Sequence, residues 1–158
     1  MATYNRTVTG GGTVGHPSNA AVPYVITSPV WDTADGGTGG DVVQLIDVPA
    51  DTMIVAGCLE VLEARGNSQI TLDGGITGGD GDCFVDGSAL AAGFTPFLEA
   101  AVGASGSNAR MLTSADTIDA LILDGGSSGE SAARFRIHVV MVDVSVNPVE
   151  SATVSTGT

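Results

Sequence analysis

Asp41-Val42-Val43-Gln44-Leu45-Ile46-Asp47-Val48, then Pro49-Ala50-Asp51-Thr52, then Met53-Ile54-Val55-Ala56-Gly57-Cys58-Leu59-Glu60-Val61-Leu62 is the stretch that decides the fold. The first run is rich in β-branched residues and reads as a strand. Val42, Gln44, Ile46 and Val48 fall on one face by strict alternation, and Val43, Leu45 and Asp47 on the other. Pro49 to Thr52 has turn chemistry. From Met53 to Leu62 both alternating faces are largely apolar, the pattern of a strand covered on both sides. Working outward, Gln69 to Leu72, Phe94 to Leu98, Ala109 to Leu112 and Thr117 to Leu123 read as further strands. The longest, Ala133 to Val146, sets Phe135, Ile137, Val139 and Met141 against Arg136, His138, Val140 and Val142. Ser88 to Ala92 reads as one helical turn. About seven short strands separated by glycine turns predict an all-β fold, a β-sandwich or jelly roll of one domain.

The flanks read differently. Residues 1–40 carry Gly10-Gly11-Gly12, the prolines Pro17, Pro23 and Pro29, and a glycine-rich stretch from Gly36 to Gly40. The apolar segment Val22 to Val30 is interrupted by proline, which lacks an N–H, so it suits an edge strand or an extended arm. The sequence therefore predicts an extended N-terminal arm over 1–40, a sandwich over 41–146 and a flexible tail over 147–158.

Composition narrows the function. The chain has 158 residues with Lys+Arg 5 and Asp+Glu 18, a formal net charge of -13. All the basic residues are arginines: Arg6, Arg65, Arg110, Arg134 and Arg136. A nucleic-acid partner requires a basic stripe to displace counterions, and an anionic membrane surface would repel this charge, so neither is expected as a partner. No apolar run approaches the length of a spanning helix. The opening Met1-Ala2-Thr3-Tyr4-Asn5-Arg6 is not followed by the apolar run of a signal peptide. Cys58 reads as a small buried hydrophobe, with a Cys58–Cys83 bridge as the alternative.

No motif carries chemistry convincingly. Gly10-x-Gly12-x-x-Gly15 matches a dinucleotide fingerprint as a string, but no strand precedes it and His16-Pro17 follows where a helix should start. Asp80-Gly81-Asp82-Cys83-Phe84-Val85-Asp86-Gly87 resembles a calcium loop, yet Phe84 stands at a ligand position and no glutamate closes it. Turn formation by the aspartates is the other reading. His16 and His138 are too remote to be paired from sequence, and Ser127-Ser128 lies in a Gly-Ser-Ser-Gly turn rather than a nucleophile elbow. No catalytic residue, cofactor or metal is expected. The arginines are more informative: their planar forks hold carboxylates across interfaces between copies of an acidic protein. With Trp31, the sole tryptophan, they form the candidate interface set Arg6, Trp31, Arg65, Arg110, Arg134 and Arg136.

The run Gly40 to Ile54 leading into Leu59-Glu60-Val61, then Phe84-Val85-Asp86-Gly87, then Leu112-Thr113-Ser114-Ala115-Asp116-Thr117-Ile118, then the valine-rich last strand, resembles in its order the capsid decoration (cement) proteins of tailed bacteriophages. The resemblance covers about residues 40–145. It implies a β-sandwich without catalysis, bound to the major capsid protein on the outer capsid surface of the virion, as a homotrimer. Another virion component, such as a tail, head-fibre or adsorption protein, fits the same pattern. A secreted carbohydrate-binding sandwich is the remaining alternative; the scarcity of aromatics to stack on sugars speaks against it.

Overall fold

The computed structural model describes residues 3–9, 23–35, 40–64, 70–76, 79–97, 110–124 and 133–144. They form two sheets that share one core. The first holds five strands in the order β1 (Thr3–Thr9), β4 (Val42–Val48), β10 (Asp116–Asp124), β6 (Ile70–Ile76) and β7 (Val85–Ala89). The second runs β2 (Pro23–Thr27), β11 (Arg134–Asp143), β5 (Thr52–Glu63) and β8 (Gly93–Pro96), with β3 (Trp31–Asp32) on β11 and β9 (Arg110–Leu112) on β5. Pairing is antiparallel except for β1, which lies parallel to β4. A 3-10 turn over Thr33–Asp35 follows β3. The inner faces supply Val43, Leu45, Ile46, Ile118, Ala120 and Ile122 from one sheet and Ile54, Leu59, Phe135, Ile137, Val139 and Met141 from the other. This is an all-β sandwich.

The alternation of β4 and β5 departs from a strict two-residue period because each strand carries a bulge. On β4, Ile46 faces Ile118 and Gln44 faces Asp119, so Leu45 is an extra residue. The strand changes phase there, and Val43 and Leu45 point inward before it while Ile46 and Val48 point inward after it. On β5, Ile54 faces Met141 and Ala56 faces Val140, which leaves Val55 extra. Ile54 is buried on one side of that bulge, Leu59 and Val61 on the other. The expectation that β5 is covered on both faces is thereby corrected. One inward face switches phase midway, so apolar residues appear at both parities, and outward positions such as Ala56 and Leu62 are exposed.

Two further expectations change. Thr3–Thr9 pairs along β4, Pro23–Thr27 along β11, and Trp31 opposite Phe135. The described parts of residues 1–40 therefore complete both sheets instead of reaching away as an arm, while 10–22 and 36–39 lie outside the described residues. Pro29 does interrupt the edge, but Ser28 repairs it. Its backbone N–H bonds Ile137 O at 2.9 Å, and its buried hydroxyl accepts the Ile137 N–H at 2.9 Å. The helical turn expected at Ser88–Ala92 is instead the end of β7 and the turn to β8. Within β7, Gly87 sits at φ +58 in an irregular register against β6, with its N–H held by Asp73 Oδ1 at 2.7 Å. Asp86-Gly87 marks a glycine bulge inside a strand, which has the same composition as a turn.

Candidate interaction surface

Among the described residues, the outer face of the six-stranded sheet brings together Arg134, Arg136, His138 and Glu60. β11 presents Arg134, Arg136, His138 and Val140 outward, between buried Phe135, Ile137, Val139 and Met141. Cross-strand register then selects their neighbours. Thr27 of β2 lies opposite His138, and Cys58 of β5 lies on its other side. Arg136 lies opposite Glu60, and Glu60 opposite Phe94 of β8. One step along, Val140 stands between Val25 and Ala56.

Glu60 is the anchor of this face. Its Oε2 accepts from Arg136 Nε and also contacts His138 Nε2 at 2.8 Å. A carboxylate can only accept, so Nε2 donates to Glu60, while Nδ1 lies 2.9 Å from the Thr27 hydroxyl on the other side of the ring. The hydrogen bonds from Arg136 and His138 hold the Glu60 carboxyl below its ordinary range. Burial first, and the Glu60 charge second, push the Cys58 thiol up, which makes it a poor nucleophile. The Phe94 ring leans over His138 with centroids 6.5 Å apart. Arg134 lies 4.0 Å from Asp32, with both groups substantially exposed.

Thr27, His138 and Glu60 make a hydroxyl–imidazole–carboxylate chain, the parts of a nucleophilic relay. Glu60 is shared with Arg136, and the N–H groups of β11 are taken up in ladders with β2 and β5, so no pair of them turns outward to hold an oxyanion.

The opposite sheet has a different character. Asp47 lies outward on β4, Asp116 opens β10, the loop leading to β7 exposes Asp80 and Asp82, and β7 itself exposes Asp86. That loop crosses the sheet at Gly75, where an added Cβ would sit 2.3 Å from Asp80 O. The Asp80–Gly87 stretch read as a possible calcium loop is thus a strap closed by glycine and by the Asp73–Gly87 bond. Among the described residues no group of three or more acidic, His or Cys side chains is placed to hold a metal ion.

The structure brings together two members of the expected interface set, Arg134 and Arg136. Trp31 is corrected: it is 2% exposed and part of the core, because β3 turns it inward beside Phe135. Arg6 lies on β1 in the other sheet, and Arg110 on β9 opposite Ile54. Arg65 lies outside the described residues. Cys58 and Cys83 are unbridged, and Cys58 sits on the outer face rather than in the core. Glu60, Thr27 and Phe94 were not singled out from sequence. The alternation of Arg136 with His138 marked the face, but the partners on β5, β2 and β8 follow from register alone.

No protein-family model and no curated protein matches the sequence. The fold does match solved chains, and all three are from phage shells. In the capsid asymmetric unit of cyanophage Pam1 the likeness has a TM-score of 0.58 at 14% identity, over 84% of this chain and 94% of that one. In the capsid of Ralstonia phage GP4 the figures are 0.51 at 19%, over 79% and 87%. In the acidic stable capsid of Helicobacter pylori bacteriophage KHP30 they are 0.50 at 15%, over 77% and 88%. At these identities the likeness is one of fold.

Proposed function

We propose that this chain is a structural protein of a tailed-phage virion, a decoration protein that binds the major capsid protein on the outer surface of the shell. The observation that carries this reading is the extent of the fold likeness. A sandwich of this size accounts for 94% of a chain in one phage capsid and 87% or more of chains in two others. Fold alone does not define function, but three neighbours drawn from one kind of particle favour that setting. The order of residues from Gly40 through the last strand, resembling decoration proteins, points the same way.

The physical properties agree. A protein on the outside of a DNA-filled shell works as a rigid brace, and a two-sheet core with a dozen fully buried large side chains supplies that rigidity. The net charge of -13 keeps the chain from packaged DNA. Catalysis forms no part of this role. As a brace between subunits it acts in copies, as a homotrimer. With β1, β2 and β3 built into the sheets, attachment falls to faces and edges of the sandwich.

Immunogold labelling of intact purified particles with antibody to the folded chain tests the reading. Label over the whole shell is the expected result. Label confined to the tail or one vertex would assign the chain to another virion component, and particles free of label would overturn the virion reading.

A further inference from the structure

We infer that Pro23 and Pro29 close the outer edge of β2 against strand addition by another chain, at a segment that carries no charge of its own. The inference goes beyond the proposed function and does not depend on it. It rests on backbone direction, on the distribution of charge along the sequence, and on exposure.

Backbone direction follows from the register. β2 ends the six-stranded sheet, and among the described residues no strand pairs along its other side. The Ser28 N–H bonds Ile137 O at 2.9 Å, so the backbone of Ser28 faces β11. Ile26 and Tyr24, opposite Val139 and Met141, face the same way, because backbone direction alternates along a strand. The backbone groups of positions 23, 25, 27 and 29 therefore point out from the edge. Two of these four are proline. A proline at 24, 26 or 28 would remove a donor from the ladder with β11. At 23 and 29 it removes only a donor that a foreign strand could use. The edge keeps the outward N–H groups of Val25 and Thr27, a row shorter than an ordinary strand pairing uses.

Charge explains why this edge needs such a device. A net charge of -13 makes copies of the chain repel one another. Between Arg6 and Asp32, however, the chain has no Asp, Glu, Lys or Arg, its longest stretch without one. Tyr24-Val25-Ile26-Thr27 lies inside that stretch: aromatic and β-branched, uncharged, with Val25 68% exposed. A segment of this composition on a sheet edge is the kind that pairs with a second chain. Prolines at both of its ends stand where flanking residues interrupt such runs.

Two measurements test the inference. Amide hydrogen exchange by NMR on the full chain reads the edge directly: Val25 and Thr27 are expected to exchange fast, and Ile26 and Ser28 slowly. Protected Val25 and Thr27 amides would mean that a strand already covers the edge, and would overturn the inference. The second measurement follows aggregation of folded protein by sedimentation velocity and thioflavin fluorescence, below the unfolding transition of every variant. Pro23→Thr with Pro29→Thr restores two outward N–H groups and should strengthen edge association by about tenfold or more. Adding Val25→Lys to that variant should reverse the gain, since a charge on the edge opposes strand addition. Pro49→Thr, in the exposed turn between β4 and β5, removes a proline outside this edge and should behave as wild type. A double variant as soluble as wild type overturns the inference. So does a gain that lysine fails to reverse, or equal aggregation of the Pro49→Thr control. If the double variant does not fold, Pro23→Thr alone, at the start of β2, is read by the same criteria.

Discussion

Glu60 serves Arg136 and His138 at once, and its carboxyl is held below the ordinary carboxylate range by those two hydrogen bonds. A group whose folded value lies below its unfolded value of 4.5 adds stability above that pH, and the contribution is lost as pH falls through the folded value. Thermal unfolding of wild type and Glu60→Gln between neutral pH and strong acid is therefore expected to show a gap at neutral pH that closes below about pH 4.5. A gap independent of pH would mean that the ion pair is not its source. At this scale the site was half legible. Alternating Arg136 and His138 could be placed outward from sequence, because period 2 is a local property. Glu60 and Thr27 are 76 and 111 residues from their partners, and no local pattern carries a pairing of that range. Trp31 was misplaced because its neighbours, Pro29 and the glycines after it, look like an arm.

Elements are governed by their irregularities. The core runs of β4, β5, β10 and β11 follow from the sequence because β-branched and apolar residues repeat there. The bulges at Leu45 and Val55 do not, since an extra residue changes which side is buried without changing composition. β6 runs through Asp73-Gly74-Gly75, which has the chemistry of a turn; Gly75 is needed because the strap passes over it. Gly57 serves a different neighbour, the Phe97 ring, which stacks on Phe84 at 4.7 Å. Gly75→Ala meets backbone and Gly57→Ala meets a side chain. Chemical denaturation should show a loss of about 1–3 kcal/mol for Gly57→Ala and a larger one for Gly75→Ala. The reverse order would show that the strap yields more easily than the ring.

The N-terminal strands give a second prediction at the element scale. An arm could be removed without harm, whereas β2 and β3 are the edge partners of β11 and carry Ile26 and Trp31 into the core. Deletion of residues 1–40 is expected to abolish cooperative unfolding in a thermal melt followed by circular dichroism. A truncated chain with a sharp transition near that of the full protein would restore the arm.

At the scale of the whole molecule, two sheets divide the labour of one acidic sandwich. The five-stranded sheet and its strap carry exposed aspartates, and the six-stranded sheet carries the Glu60–Arg136–His138 cluster with exposed Val25 and Phe94 on the same sheet. All-β architecture and acidity were both legible, because each is a sum over many residues. The asymmetry between faces was not, since it depends on which strands share a sheet. The most direct measurement is the copy number of this chain relative to the major capsid protein in purified particles, by quantitative mass spectrometry. A ratio near one is expected for a brace repeated over the whole shell, and absence of the chain from the particles would contradict a virion role.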